Sequence, residues 1–131
     1  LNNIFKGNVV DKGLCNITSS SIHQKAHSIN NYFPRNVVDF NNVKKVFSST
    51  IEPNSWLKID FICRKVHPTY YSIQTWCNPK SKGHIINWVI EGSNTDNDDD
   101  WKILDSRKNK SSLDNSYAEN TFNIQTQLED N

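Results

Sequence analysis

The sequence predicts an all-β protein, an antiparallel sandwich or barrel, on three observations. Apolar residues recur with a period of two in short runs, as in Leu57-Lys58-Ile59-Asp60-Phe61. Long polar segments separate the runs, and Ser93-Asn94-Thr95-Asp96-Asn97-Asp98-Asp99-Asp100 is the most pronounced of them. No internal repeat, coiled-coil heptad or long amphipathic helix is visible, and the Gly and Pro spacing marks no alternating βα units.

The elements follow in order. Residues 14–21 read as a first strand, with Cys15 and Ile17 on one side and Leu14, Asn16 and Thr18 on the other. Residues 23–32 are polar and read as a loop. Pro34-Arg35-Asn36-Val37-Val38-Asp39 suits one helical turn, with Pro34 near its start and Val37 and Val38 facing inward. Pro53-Asn54-Ser55 is a turn signal that leads into a half-buried strand over residues 56–61. There Leu57, Ile59 and Phe61 share one face and Lys58 and Asp60 the other.

Residues 70–76 form the next strand, with Tyr71 and Ile73 on one face and Tyr70, Ser72, Gln74 and Trp76 on the other. Residues 78–83 are a turn-rich loop. Trp88-Val89-Ile90-Glu91 is a strand ending at Gly92, and the short acidic link to Trp101-Lys102-Ile103-Leu104 predicts a hairpin. Residues 106–115 read as a polar loop. Phe122 and Ile124 alternate in a last strand, and residues 125–131 are expected to fray.

With 131 residues the chain is the size of a single domain, and residues 1–131 are read as one. Hydrophobic residues make up only 35%, and mean hydropathy is -0.71. The 15 basic and 14 acidic groups nearly cancel, however, whereas disorder pairs low hydrophobicity with high net charge. Four Trp, four Tyr and six Phe supply packing material. A net charge of +1 provides no long-range field for nucleic acid. No apolar run approaches the roughly 18–20 residues of a membrane span, and Leu1-Asn2-Asn3-Ile4-Phe5-Lys6 does not resemble a signal peptide. Without a Met at its start or anywhere else, the chain is expected to be a fragment or a processed product.

Cys15, Cys63 and Cys77 are odd in number and widely spaced, which favours free buried thiols over disulfides and an intracellular, cytoplasmic setting. Sequons stand at Asn16 and Asn109, the first inside the first strand. Asp39 and Asp60 are placed to pair with Arg35 and Lys58. Trp56 and Trp101 each open a strand, where a large ring closes the end of a core.

Five segments, in order, resemble a discoidin-type domain, the coagulation factor 5/8 C-terminal family with its galactose-binding-like jelly roll. They are Ile17-Thr18-Ser19-Ser20-Ser21, Pro34-Arg35-Asn36-Val37-Val38-Asp39, Pro53-Asn54-Ser55-Trp56-Leu57-Lys58-Ile59-Asp60-Phe61, Tyr70-Tyr71-Ser72-Ile73-Gln74, and Trp88-Val89-Ile90-Glu91-Gly92-Ser93-Asn94 with Trp101. The likeness covers about residues 9–124 and is nearest to Asn-rich intracellular versions from single-celled eukaryotes, often joined to adaptor or ubiquitin-pathway modules. It implies an antiparallel β-sandwich of jelly-roll type. Family members usually carry a longer segment before Asn8 and closing strands after Ile124. Their absence implies a fragment, a degenerate copy, or a sandwich completed by a strand of another chain.

Catalytic and metal chemistry find little footing. His23 and His27 are four apart, but their surroundings are not helical and no carboxylate completes a ligand set. Residues 96–100 lack the spaced acids of a calcium loop. There is no G-x-S-x-G elbow, phosphate loop or dinucleotide fingerprint. The chain is therefore expected to be no enzyme and to need no cofactor.

Binding remains. The resemblance points to loops at one end of the sandwich, residues 23–32, 47–54 and 76–84, as the ligand face. Asn30, Tyr32, Trp76, Asn78 and His84 are the candidate ligand-binding residues, an aromatic face with amide and imidazole groups that suits a sugar ring. Recognition of a protein partner by an intracellular adaptor-type module is favoured over carbohydrate binding. Membrane binding is least favoured, since these loops carry few apolar spikes.

Overall fold

A computed structural model describes residues 7–23, 32–39, 45–76 and 85–124. The expected loops at 23–32 and 76–84 and the tail at 125–131 fall largely or wholly outside them. The chain divides into two compact units, Leu1–Lys65 and Val66–Asn131. Among the described residues all regular structure is β-strand or short 3-10 turn, and the strands pair in antiparallel two-stranded sheets.

In the first unit, β1 (Asn16–Ser19) pairs with β2 (Leu57–Asp60), Asn16 opposite Asp60 and Ser19 opposite Leu57. A turn delivers the chain into β1. Val10 N–H donates to Asn8 Oδ1, Gly13 and Leu14 N–H donate to the Val10 and Val9 carbonyls, and Gly13 takes the left-handed φ of +66° that suits glycine. Val9 and Cys15 are buried there. Burial, then the Asp60 charge, raises the Cys15 thiol pKa, so the thiol stays protonated.

The turn predicted after Pro34 is a 3-10 turn, Pro34–Val38, packed beside β1. Its inward residues are Pro34 and Asn36, not Val37 and Val38. Asn36 turns in because its Nδ2–H donates to the Val46 carbonyl at 2.9 Å, which leaves Val37 at the surface. The ion pairs also differ from expectation. Arg35 pairs with Asp11 at 2.5 Å and Asp39 with Lys45 at 3.8 Å. Asp60 instead accepts the Ile62 N–H at 2.7 Å and holds Ile62 at φ 62°. Cys63, in this turn, is exposed rather than buried.

In the second unit, β3 (Tyr70–Gln74) pairs with β6 (Glu119–Asn123), and β4 (Trp88–Gly92) with β5 (Lys102–Arg107). The latter is the predicted hairpin, with a register shift at Ile90/Glu91. Trp88, Leu113 and Phe122 form the core, flanked by Tyr71, Ile73 and Ile90. The Phe122 ring lies 5.5 Å from that of Tyr71 in stacked geometry and 5.0 Å from Trp88 edge to face, favourable quadrupole arrangements. Tyr71 and Ile73 come from the face read as shared in sequence, and Phe122 from the last strand expected there.

Two expectations fail here. Trp56 is half-exposed and Trp101 only partly buried, while Trp88 fills the core. Leu113 is 0% exposed although its segment reads as a polar loop. A turn closed by Asp114 N–H on the Ser111 carbonyl and another by Ala118 N–H on Asn115 fold that segment so that its lone leucine points inward. Gly92 faces Leu104 so closely that an added Cβ would stand 2.9 Å from Leu104 Cδ1. Because Leu104 is itself buried, Gly92→Ala is expected to cost about 1 kcal/mol in a urea unfolding curve.

Candidate functional site

Of the expected ligand face, the 47–54 segment is described in full and runs beside the end of β1. His23 N–H donates to the Ser48 carbonyl at 2.9 Å, and Ser20 N–H to the Trp56 carbonyl at 3.0 Å. Between them Glu52 organises the loop. Its Oε1 accepts the hydroxyls of Ser20 and Ser21 at 2.8 and 2.6 Å. Ser21 Oγ in turn accepts the Thr50 hydroxyl and N–H, and Ser20 Oγ accepts the Trp56 N–H at 3.1 Å. Ser55 Oγ closes the turn on the Glu52 carbonyl, with Asn54 at φ 58°.

Serine suits these positions because one hydroxyl can donate to a carboxylate while accepting from the backbone. The Ser21 and then the Ser20 hydrogen bonds hold the Glu52 carboxyl below its usual pKa. The linkage therefore acts above the ordinary carboxyl range and is lost as pH falls through the lowered native value. Amide protection at Thr50 and Trp56, relative to the intrinsic exchange rate, is expected to fall as pH is lowered through that range, and Glu52→Gln is expected to remove the dependence.

This pinned loop presents Ile51, fully exposed, and Trp56, half-exposed. Tyr32 stands near His23, ring centroids 6.1 Å apart and tilted by 53°. Trp76 belongs to the second unit and is 42% exposed just beyond β3. Asn30, Asn78 and His84 lie outside the described residues. Sequence reading placed the 47–54 segment in the ligand face but did not name Ile51, Glu52 or Trp56 among the candidate residues. No sequence signal marked the contact, since Ser20 and Ser21 stand more than thirty residues from Glu52.

A cluster of three titratable groups with shifted pKa values, Tyr71, Asp105 and Arg107, lies in the second unit. Asp105 is 1% exposed. Its Oδ2 accepts the Tyr71 hydroxyl at 2.5 Å and Arg107 Nε–H at 2.8 Å, while Trp88 Nε1–H donates to the Tyr71 oxygen at 2.7 Å. Arg107 also donates to the Asn123 carbonyl at 2.6 Å and lies over the Phe122 ring. Burial alone would push the Asp105 carboxyl up, but the hydrogen bonds from Arg107 and Tyr71, with the Arg107 charge, hold it below the usual range. Burial, then the bond to Asp105, raises the Tyr71 phenol pKa. The Asp105 carboxylate is sealed from solvent. Its chemistry is structural, tying β3, β4 and β6 to β5.

The polar link of the hairpin is exposed and satisfies itself. Thr95 Oγ1 donates to the Asp100 carboxylate, Thr95 N–H donates to Ser93 Oγ at 3.0 Å, and residues Asp98–Asp100 form a 3-10 turn. Among the described residues no group of three or more His, Cys, Asp or Glu is arranged to hold a metal. No helix among them is long and apolar enough to cross a membrane. No family model, curated protein or solved structure matches the chain.

Proposed function

We propose that the chain is a non-catalytic binding module on a discoidin-like jelly-roll sandwich, recognising a protein partner for an intracellular adaptor-type protein. The observation that carries this reading is the Ile51 side chain, fully exposed at the crest of a loop locked by Glu52, Ser20 and Ser21. An exposed Ile and a half-exposed Trp on one loop with hydroxyl groups around it combine the apolar and polar character of a binding interface. The locked loop lowers the ordering cost of association. Nothing comparable in the loop favours a reacting group.

The test is affinity capture on the immobilised chain, with Ile51→Asp and Trp56→Ala alongside. A specific partner is expected whose binding falls about tenfold or more with either substitution, the amide spectrum remaining dispersed. Partners bound equally by all three forms overturn the reading. Sugar recognition by the loops is the second reading, favoured by the exposed ring of Trp76.

A further inference from the structure

Among the described residues three stretches keep six or more consecutive residues exposed: 51–56, 62–67 and 94–100. The first and third contain no Lys or Arg, whereas the second, Ile62-Cys63-Arg64-Lys65-Val66-His67, carries an adjacent basic pair. The boundary between the two compact units falls directly after that pair, between Lys65 and Val66. Asp60 Oδ1 accepts the Ile62 N–H, and Arg64 N–H donates to the Phe61 carbonyl at 3.2 Å, so the preceding turn closes at Arg64. Beyond Arg64 no hydrogen bond ties Lys65, Val66 or His67 to a described residue. Among the described strands no pairing spans the Lys65–Val66 bond, since β1 pairs with β2 before it, and β3 with β6 and β4 with β5 after it.

An endopeptidase takes its substrate as an extended segment, so it needs backbone that can leave its neighbours at little cost. Residues 65–67 meet that condition, and Pro68 biases His67 toward the extended region. A lysine or arginine before the bond complements a specificity pocket with a carboxylate at its base. Other basic residues are held in ordered backbone. Lys58, Lys102 and Arg107 lie in strands and Arg35 in the 3-10 turn, while Lys110 donates its N–H to the Ile86 carbonyl at 3.0 Å.

We propose that the Lys65–Val66 peptide bond is a processing site for an endopeptidase of trypsin-like specificity, which recognises Arg64-Lys65 and divides the chain at the boundary of its two units. Water gives its hydroxyl to the Lys65 carbonyl carbon and a proton to the Val66 nitrogen as the C–N bond breaks, and nothing else is consumed. The first unit keeps the β1–β2 pair and the Glu52 loop, and the second keeps the core of Trp88, Leu113 and Phe122. The proposal does not depend on the reading of the loop that carries Ile51.

Trypsin at a low molar ratio is applied to the native full chain and to the chain unfolded in urea, and the products are followed by mass spectrometry. In the native chain the initial rate at Lys65–Val66 is expected to exceed the rates after Arg35, Lys58, Lys102 and Arg107 by about tenfold or more. That advantage is expected to vanish in urea, where folding no longer shields any bond. Arg64→Gln combined with Lys65→Gln is expected to slow cleavage within residues 62–67 by about tenfold or more, with the far-UV circular dichroism unchanged. Native rates after the strand residues that equal the rate at Lys65–Val66 overturn the proposal. So does a Lys65–Val66 bond cut only after unfolding, or an advantage that persists in urea. Ile51→Asp leaves these rates unchanged, so this proposal and the partner-recognition reading fail separately.

Discussion

Asp105→Ala is expected to lower the unfolding free energy by about 4 kcal/mol, because removing one partner of a buried pair leaves the other charge uncompensated. Arg107, with its side chain only 12% exposed, would lose its carboxylate, and the Tyr71 hydroxyl would lose its acceptor. Urea unfolding followed by far-UV circular dichroism gives the number. A loss below about 1 kcal/mol would show that the network adds nothing beyond an exposed ion pair.

The same network sets a pH profile. The Asp105 carboxyl is held low, so its contribution is complete above the unfolded carboxyl value of about 3.9 and is lost as pH falls through the native one. The Tyr71 phenol is held high, so its contribution is complete below the unfolded value of about 10 and is lost as pH rises through the native one. Stability should therefore fall at both extremes. Asp105→Asn should flatten the acid arm and Tyr71→Phe the alkaline one.

Phe122→Ala is expected to cost about 4 kcal/mol, combining lost burial with a cavity that its neighbours cannot close. The ring is clasped by Tyr71 on one side and Trp88 on another, with Arg107 over its face, and each neighbour is held by the Asp105 network. Trp56→Ala provides the contrast. That ring is half-exposed, and its loss should change stability by less than about 1 kcal/mol in the same assay. A loss at Trp56 as large as that at Phe122 would mean that Trp56 also closes a core.

Much of the strand content was legible because alternation is a local property. Tyr71 and Ile73 had to share a face, and the strand ending at Gly92 had to turn back through the acidic link, whichever neighbours they met. The site was less legible. The exposure of Ile51 follows from a hydrogen-bonded loop in which Ser20 and Ser21 reach Glu52 more than thirty residues away. No local pattern encodes that meeting. Tyr32 and Trp76 could be named as aromatic candidates, but their surroundings could not be read from spacing.

By itself the sequence determined an all-β chain, the approximate position of each described strand, one helical turn after Pro34 and a hairpin from Trp88 to Leu104, which the structure carries on to Arg107. Those features depend on side-chain periodicity and turn chemistry within a few residues. The tertiary structure alone decided that β3 pairs with β6, that Trp88 rather than Trp56 or Trp101 is buried, and that Leu113 folds inward from a polar loop. It also decided that Asp105, one more acid in the sequence, becomes the sealed centre of a network. Each of these outcomes depends on partners distant in the chain, and burial is settled by which surfaces meet rather than by what any one residue prefers.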